Sequence, residues 1–181
     1  MDKYELKWTR LQLRILKFLY IKSGESFSLR KIARNLNVSP TAISNSIKTL
    51  EKEKLILKEK KTEINQFSVT LNKFNKNIFQ LKKIENLNMI YESKLIEQLQ
   101  EKFVGATIIL FGSYFRGEDT TKSDIDIAII GSEEKKLNLK EQEVYLERKI
   151  NVQFYKNTSS IHKTLRENIY NGIVLSGYIS I

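Results

Sequence analysis

The stretch TIILFGSYFRGEDTTKSDIDIAIIG, residues 107–131, contains two apolar runs that predict neighbouring strands. The first run ends at Gly112-Ser113, and the second begins with Asp124 and Asp126 alternating with isoleucine. Because successive side chains of a strand point to opposite faces, both carboxylates should lie on one face. Two carboxylates on one face are close enough to share a hard divalent cation such as magnesium.

The Gly-Ser turn between the two runs has the chemistry needed to hold a phosphate. Gly112 lets the backbone approach a ligand closely, and Ser113 supplies a hydroxyl at the start of a predicted helix. Arg116 and Lys122 are weaker candidates for neutralising phosphate charge. The alternative interpretation of the stretch is an ordinary buried strand that carries two solvated aspartates.

A Gly-Ser turn, ten intervening residues and an Asp-x-Asp pair in an apolar strand together resemble the nucleotidyltransferase superfamily of DNA polymerase beta. In particular, the segment looks like the minimal nucleotidyltransferases of prokaryotes. The resemblance extends over about residues 95–178. It implies a small α/β nucleotidyltransferase fold with a mixed sheet, including a helical stretch over 133–149, a strand over 150–155 and a closing helix.

This resemblance implies transfer of a nucleoside monophosphate from a nucleoside triphosphate, with ATP as the expected substrate, to an acceptor hydroxyl. Asp124 and Asp126 would be the catalytic residues and would bind Mg²⁺ or Mn²⁺. Gly112, Ser113 and Arg116 would hold the nucleotide. The resemblance also implies a helical partner protein, since minimal nucleotidyltransferases often pair with one in toxin–antitoxin systems. The acceptor stays open among a protein side chain, an RNA end and a small molecule.

One position departs from the family's pattern. The family usually has a third carboxylate on the next strand, and the corresponding residue here is Asn151. Asparagine offers an oxygen but no charge, and it cannot accept a proton. Glu143 or Glu147 would substitute if the alignment shifts by one helical turn. Two hypotheses therefore remain: an active transferase, or a degenerate domain that senses a nucleotide, mediates dimerisation or serves only regulation.

The net charge of +10 lies entirely in the N-terminal part of the 181-residue chain. Residues 1–80 contain 17 Lys+Arg and 7 Asp+Glu, whereas residues 81–181 contain 14 of each. A basic surface attracts polyanions such as nucleic acid through counterion release. The alternative is a drift in composition towards Lys and Asn. The division of charge favours two regions with different functions.

Three amphipathic helices followed by a hairpin are predicted in the basic half. The first spans about residues 8–21, the second follows the N-cap Ser28, and the third follows Ser39-Pro40. Two β-prone runs, over 55–58 and 66–71, flank a polar segment. This order resembles the winged helix-turn-helix family over about residues 7–72, and the resemblance implies binding to double-stranded DNA. The alternative is a small helical domain whose polar face is solvated or docks a protein.

The polar face of the third helix has groups that can read base edges or meet phosphates. The candidate DNA-binding residues are Thr41, Ser44, Asn45 and Lys48 on this helix, and Lys60 and Lys61 in the hairpin. Weaker expectations concern single residues elsewhere. Trp8 is expected to anchor the core, while Glu118, Asp119 and the single histidine, His162, are expected to face solvent.

The segment between the two halves lacks Gly and Pro and predicts a long amphipathic helix over 72–103, with a break near Asn86 to Asn88. It would serve as a connector, and its near-heptad spacing also suggests a homodimer seam. The apolar stripe comprises Phe74, Ile78, Leu81, Ile84, Leu87, Tyr91, Leu95 and Leu99.

The sequence therefore predicts an α+β protein with a winged helix-turn-helix domain at 1–72, a linking helix at 73–103 and a nucleotidyltransferase-like domain at 104–181. The hydrophobic fraction of 41% and the single proline exclude disordered and collagen-like classes. The absence of cysteine excludes disulfides and thiolate zinc sites. No stretch approaches the ~18 apolar residues of a membrane span, so we expect a soluble cytoplasmic protein without membrane contacts.

Overall fold

The computed structural model describes residues 7–61 and 66–179 of an α+β chain, which confirms the expected fold class. Two compact units divide it, Met1–Phe79 and Gln80–Ile181. In the described residues, no helix is both long and apolar enough to cross a bilayer.

Each of the three helices of the first unit begins after an N-cap residue, and two of these residues, Ser28 and Ser39, were predicted from the sequence. Thr9 forms a capping box with Gln12, the Ser28 hydroxyl accepts from the Lys31 backbone, and the Ser39 hydroxyl accepts from the Ala42 backbone at 3.1 Å. The turn between the second and third helices contains a left-handed residue, Asn37, with φ of 51°. The helices are α1 Arg10–Ile21, α2 Leu29–Leu36 and α3 Pro40–Lys52.

The predicted hairpin is present and is part of a three-stranded antiparallel sheet in the order β1-β3-β2. The strands are β1 Phe27–Ser28, β2 Ile56–Lys61 and β3 Gln66–Leu71. β2 is longer than expected, because Glu59 to Lys61 continue it rather than forming a loop, and the rest of the predicted polar segment, Thr62-Glu63, lies outside the described residues. The two-residue β1 has no signal in the sequence. Trp8 is half-buried, and its indole N–H donates to the Glu53 carboxylate at 3.3 Å, so it is not the expected core anchor.

The long linking helix is in fact two helices, α4 Lys76–Glu92 and α5 Leu95–Lys102. The helix is interrupted at Lys94, which has a positive φ of 57°, and not near Asn86. The expected apolar stripe is also partly wrong, because Phe74, Ile84 and Tyr91 are 91%, 67% and 53% exposed. The face that α4 buries differs from the predicted stripe and includes the polar residues Lys82 and Asn86.

The second unit contains a four-stranded mixed sheet in the order β6-β5-β4-β7, in which only β5 and β6 run parallel. The predicted helical stretch over 133–149 is helical only in α7. The last strand, β7, is not among the elements predicted from the sequence. The elements are β4 Thr107–Phe111, α6 Gly112–Arg116, β5 Ile125–Ile130, α7 Lys140–Leu146, β6 Ile150–Tyr155, α8 Lys163–Tyr170 and β7 Ile173–Ser176, with a short 3₁₀ turn at Thr158–Ser160.

One face of this sheet is covered by the closing helix. Ile109, Phe111 and Ala128 from the sheet pack with Ile161, which precedes α8, and with Ile169 of α8. Burial of such side chains stabilises the unit by about 1.5–3 kcal/mol each relative to exposure. The packing fixes the ends of β4 and β5, from which the candidate site is built.

Asp119, in the loop between α6 and β5, is buried in a cluster of charged and polar groups. Its side chain is 1% exposed, contrary to the expectation that it faces solvent. It forms ion pairs with Lys82 and with Arg148, whose Nη2 lies 3.2 Å from Oδ2. Asn86 also donates to Asp119 Oδ1 and to the Tyr114 carbonyl oxygen, both at 2.8 Å. α4 and the segment between α7 and β6 are thereby connected to the loop that leads into β5.

Burial raises the pKa of the Tyr114 hydroxyl, and the negative charge of Asp119 raises it further. Tyr114 therefore stays neutral beside the cluster throughout the physiological pH range. Within the described part of the chain, its hydroxyl oxygen is buried and has no hydrogen-bond partner. A buried hydroxyl without a partner lowers the stability of the fold.

Asp119→Asn is expected to lower the free energy of unfolding by about 3–5 kcal/mol, because it leaves two buried cations without their shared carboxylate. Glu118→Gln, the adjacent change, removes only an exposed pair with Arg116 and should cost about 0–1 kcal/mol. Urea denaturation of the full chain measures both. Equal losses in the two variants would show that the buried cluster does not stabilise the fold.

Candidate functional site

The predicted site residues come together at one end of the mixed sheet. Phe111, the last residue of β4, is paired with Asp126 of β5, and Asp126 is paired with Asn151 of β6. The turn that starts at Gly112 therefore begins beside Asp126. Three segments that are distant in sequence are brought to one edge by strand pairing alone.

Gly112 lies directly against the carboxylate of Asp126. A Cβ atom added at Gly112 would stand 2.5 Å from Asp126 Oδ2, closer than any side chain tolerates. The residue also has a positive φ of 77°, which other residues adopt only with strain. Two separate constraints thus favour glycine here: the positive φ of the backbone, and the close approach to the half-buried Asp126 carboxylate, which an added Cβ would force to move.

Asn151 lies next to Asp126 on the neighbouring strand, at the position where the family resemblance implied it. Its side-chain amide donates to Asp126 Oδ1 at 3.1 Å. A carboxylate in this place would repel Asp126 unless a cation lay between them, whereas the amide satisfies one of its oxygens directly. The strand pair is therefore arranged as a hydrogen-bonded Asp–Asn pair.

Asp124 lies just before β5, is exposed, and faces a cavity of about 620 Å³. The two glutamates considered as replacements for the missing carboxylate, Glu143 and Glu147, line the same cavity. Glu143 accepts a hydrogen bond from the Ile150 backbone at 3.0 Å, so it fixes the start of β6. Across residues 7–61 and 66–179, no group of three or more His, Asp or Glu side chains is placed to hold a metal ion.

The remaining predicted site residues differ in their surroundings. Ser113 is half-buried in α6, next to Gly112. Arg116 is exposed and engaged, because its Nε donates to Glu118 at 2.7 Å and its Nη1 donates to Asn168 at 3.3 Å. Lys122 is exposed at the cavity, and His162 is exposed before α8, as expected.

The candidate DNA-binding residues form a polar surface in the first unit. Thr41, Asn45 and Lys48 are exposed on α3, Ser44 is half-buried, and the Lys48 ammonium donates to Asn45 Oδ1 at 3.2 Å. Opposite them, Ile43, Ile47 and Leu50 are fully buried. Lys60 is exposed on β2, whereas the side chain of Lys61 lies outside the described part.

Sequence reasoning missed an aromatic residue on the hairpin. Phe67 is 43% exposed, and the ammonium of Lys58 lies 4.2 Å from the centre of its ring. Lys60 is its cross-strand partner. Phe67 lies in the β-prone run over 66–71, and such a run does not show which of its side chains extend beyond the core.

Comparison with known families agrees with both halves of the chain. A nucleotidyltransferase domain model matches residues 92–175, and a helix-turn-helix (HTH) domain model matches residues 11–62. The chain carries a nucleotidyltransferase domain behind an HTH domain. The first match covers Gly112, Ser113 and both aspartates, and the second covers α1 to β2. No curated protein sequence matches this chain.

Several solved structures of winged-helix proteins are weakly similar to this chain. The zinc-responsive MarR family member ZitR from Lactococcus lactis is 22% identical, covering 57% of this chain and 69% of its own, with a TM-score of 0.42. The adhesin competence repressor AdcR of Streptococcus pyogenes is 23% identical over 54% and 69%, also at 0.42. MepR of S. aureus, solved with DNA, is 19% identical over 52% and 77%, at 0.39. These likenesses are too weak to indicate what this chain binds.

A left-handed backbone costs an ordinary residue about 1–2 kcal/mol. Gly112→Ala is expected to lower the free energy of unfolding by more than this amount, because Asp126 must also move. Gly131→Ala is the matched control: its φ is +90° and its added Cβ meets nothing within 4 Å. Urea denaturation compares the two losses.

A double-mutant cycle isolates the contact itself. In an Asp126→Ala background, the loss caused by Gly112→Ala should shrink to that of Gly131→Ala, since the obstructing carboxylate is gone. Additive losses in this cycle would contradict the close packing of Gly112 on Asp126.

Proposed function

We propose that this chain is a DNA-binding nucleotidyltransferase that transfers a nucleoside monophosphate from a triphosphate, with ATP as the expected donor, to an acceptor hydroxyl. The observation that supports it best is the contact of the Gly112 backbone with the Asp126 carboxylate. A phosphate held by the Gly112-Ser113 turn and a cation held by Asp126 would be immediate neighbours. This is the arrangement that phosphoryl transfer needs, because its catalysis is mainly positioning and charge stabilisation.

The donor set fits one divalent ion better than two. Mg²⁺ is commonly held by one or two carboxylates together with substrate phosphates, and Asp124 and Asp126 can supply them. A second ion would lack a third carboxylate, since Asn151 presents an N–H to Asp126. When bound, Mg²⁺ or Mn²⁺ would balance the charge that develops on the phosphates.

The chain's own groups would then bind and orient the substrate. The Ser113 hydroxyl, beside Gly112, would hydrogen-bond to a phosphate oxygen. Arg116, at the end of α6, already donates to Glu118 and Asn168, so it would contribute positive charge near the phosphates from a fixed position. The hydroxyl proton of the acceptor would pass to water, because Asn151 cannot take it.

A second candidate function has one specific observation in its favour. The Asn151 amide satisfies Asp126 Oδ1 without any cation, which suits a domain that binds a metal–nucleotide complex without efficient transfer. The chain would then be a winged-helix transcription regulator that responds to a nucleotide or dimerises through this unit. The helical partner protein suggested by the family resemblance is compatible with either function, and the exposed Ile84 and Tyr91 of α4 offer it, or a second copy, an apolar surface.

Transfer is tested with α-phosphate-labelled triphosphates, Mg²⁺ or Mn²⁺, and a host lysate. Label should appear on an acceptor with the wild-type chain and be lost with Asp124→Asn/Asp126→Asn, because both changes remove metal-binding charge. ATP binding, measured by calorimetry with Mg²⁺, should weaken in the same variant. Binding that depends on the aspartates without any label would support the nucleotide-sensing function instead.

Asn151→Asp separates the two functions further. It restores the third carboxylate beside Asp126, so it should strengthen Mn²⁺ binding and raise the transfer rate if the site is an active but weakened transferase. Asn151→Ala is its control, because it removes the amide without adding charge. Unchanged Mn²⁺ affinity in Asn151→Asp would contradict a shared metal site at Asp126.

DNA binding is supported by the polar surface of α3, by the basic hairpin and by the confinement of the excess charge to residues 1–80. Asn45 could pair with adenine, whereas Lys48 and Lys60 would meet phosphates or guanine. Phe67, with Lys58 over its ring, adds an apolar contact that the hairpin could place against a sugar or base. We propose α3 and the hairpin as the DNA-binding surface.

Lys48→Ala and Lys60→Ala are each expected to weaken duplex binding and to reduce the salt dependence of the affinity by about one unit of slope, since each removes about one phosphate contact. Lys73→Ala, an exposed lysine in the same unit but outside α3 and the hairpin, is the control. Fluorescence anisotropy at several salt concentrations measures the slope. Equal slopes in all three variants would place the DNA elsewhere.

A further inference from the structure

The outer edge of the second unit's sheet is formed by β6, which pairs with a strand on one side only in the described part of the chain. None of its six residues is fully buried, whereas five of the six residues of the neighbouring β5 are. The strand, Ile150–Tyr155, contains no charged residue. A regular, uncharged strand at the edge of a sheet offers its unpaired backbone groups to another strand.

Two other edge strands of the protein have features that discourage such pairing. β2, at the edge of the first unit's sheet, contains four charged residues in succession, Lys58 to Lys61. β7, at the opposite edge of the second unit's sheet, has only four residues, and its pairing with β4 shifts register between Ile108 and Ile109. Charges, short length and bulges are usual ways in which an edge is protected. Of these three edges, β6 alone has none of them.

The hydrogen bonds of β6 show which of its backbone groups point outward. The carbonyl oxygens of Lys149 and Tyr155 accept from the first residue of β5 and from the residue that follows β5, both at 2.8 Å. Because backbone groups alternate in direction along a strand, the N–H and C=O groups of Val152 and Phe154 point away from β5. The N–H and C=O groups of Ile150 point the same way.

Glu143 already occupies one of these outward positions. Its carboxylate accepts from the Ile150 N–H at 3.0 Å, where the carbonyl oxygen of a further strand would otherwise lie. An added strand must therefore pair through the remaining outward groups, which are the Ile150 carbonyl oxygen and both backbone groups of Val152 and Phe154. Glu143 thus restricts the register in which another strand can bind.

We propose that this edge binds the same edge of a second copy of the chain, its partner subunit, by antiparallel pairing of the two β6 strands about a two-fold axis. Val152 would exchange both backbone hydrogen bonds with Phe154 of the partner subunit, and the symmetry repeats this pair. The Ile150 carbonyl oxygen would accept from the N–H of Lys156 of the partner subunit. Every outward group of the strand is then satisfied, and Glu143 keeps its bond.

The side chains in this register are complementary to themselves, which favours a second copy over a different protein. On one face, Gln153 would meet Gln153 of the partner subunit, and Asn151 would lie opposite the partner subunit's Tyr155. On the other face, Val152 would lie opposite Phe154 of the partner subunit. Polar groups thus meet polar groups and apolar side chains meet apolar ones, and no like charges face each other within the paired strands.

The ends of the edge are also complementary in charge. Lys156, which follows β6, would lie opposite Ile150 of the partner subunit and hence beside the Glu143 that is bonded there. Lys156 now pairs with Glu133 at 3.8 Å, and both side chains are at least 80% exposed. Such a pair contributes little to stability, so it does not keep Lys156 from a second carboxylate. The two-fold axis creates the new contact twice.

This pairing would bring a residue of one copy to the candidate site of the other. Asn151 donates to Asp126, and Tyr155 of the partner subunit would lie across from Asn151 on the same face of the joined sheet. The partner subunit would therefore restrict the amide that holds Asp126. Dimerisation at this edge requires neither a nucleotide nor transfer, so it is tested separately from the proposed function.

Association is measured by sedimentation equilibrium on the full chain without DNA, from low to high micromolar concentration, and dimers are expected. Hydrogen exchange at the two ends of this range should slow at the amides of Val152 and Phe154 on association, because their N–H groups become bonded. A chain that stays monomeric would overturn the proposal and leave the edge to a protein of different sequence. A dimer that protects α4, around Ile84 and Tyr91, instead of β6 would overturn it as well.

Val152→Pro should abolish dimerisation, because it removes an outward N–H from the centre of the edge. Proline is accepted in edge strands where the missing N–H faces outward, so the variant should remain folded, which urea denaturation checks. Val152→Ala is the control, since it shortens the same side chain but keeps the N–H, and it should still dimerise. A folded Val152→Pro chain that dimerises as the wild type does would contradict pairing through β6.

Lys156→Glu should weaken the dimer about tenfold or more even if the proline variant does not fold, because it places a carboxylate beside Glu143 at both contacts. Lys163→Glu makes the same change of charge at the start of α8, which packs against β4 and not at the β6 edge. It should alter the dissociation constant by less than about twofold. Equal effects of the two variants would overturn the proposed register.

A mixture of two variants tests the charge contact directly. Glu143→Lys alone should also weaken the dimer, because it places two lysines together. Equimolar Lys156→Glu and Glu143→Lys chains should associate with each other more tightly than either does with itself, since opposite charges then meet at both ends of the edge. Failure of the mixture to associate while the wild type dimerises would overturn this antiparallel arrangement.

Discussion

Asp119 is a carboxylate 1% exposed to solvent that two cations share, and the geometry around the candidate site depends on it. Lys82 of α4 and Arg148, in the segment between α7 and β6, form ion pairs with it, and Asn86 donates both to it and to the backbone of α6. The loop from α6 to Asp124 is thus attached at its middle to two other elements. Because removing one partner of such a cluster leaves buried charge uncompensated, the cluster is a strong constraint on which arrangement of these elements is stable.

The site itself combines rigid backbone with a weakened set of ligands. Strand pairing places Gly112, Asp126 and Asn151 at one edge, so the close approach of turn and carboxylate requires no mobile side chain. Asn151 then lowers the negative charge at the point where a transferase would concentrate it. With this combination the domain could bind a nucleotide without catalysing transfer, and the charge at residue 151 distinguishes the two activities.

The motif and the N-caps were readable from the sequence because each rests on local chemistry. A Gly-Ser turn, an Asp-x-Asp pair and a Ser39-Pro40 helix start act through their own backbone and near neighbours, so β4, β5, the turn after β4 and the start of α3 were predicted. The buried face of the linking helix was not predicted correctly, since its apolar periodicity is equally consistent with several faces. Its buried face contains Lys82 and Asn86, which a hydrophobic pattern assigns to solvent.

The sequence by itself determined the two-part organisation, the uneven charge and the residues of the candidate site, because composition, capping and strand alternation operate over a few residues. Only the tertiary structure decided that Asp119 is buried, that Asn151 donates to Asp126, and that β6 is an edge strand of the sheet. These facts depend on which distant segments are paired and packed together. A buried carboxylate and a solvated one have the same local sequence signal, and only their partners distinguish them.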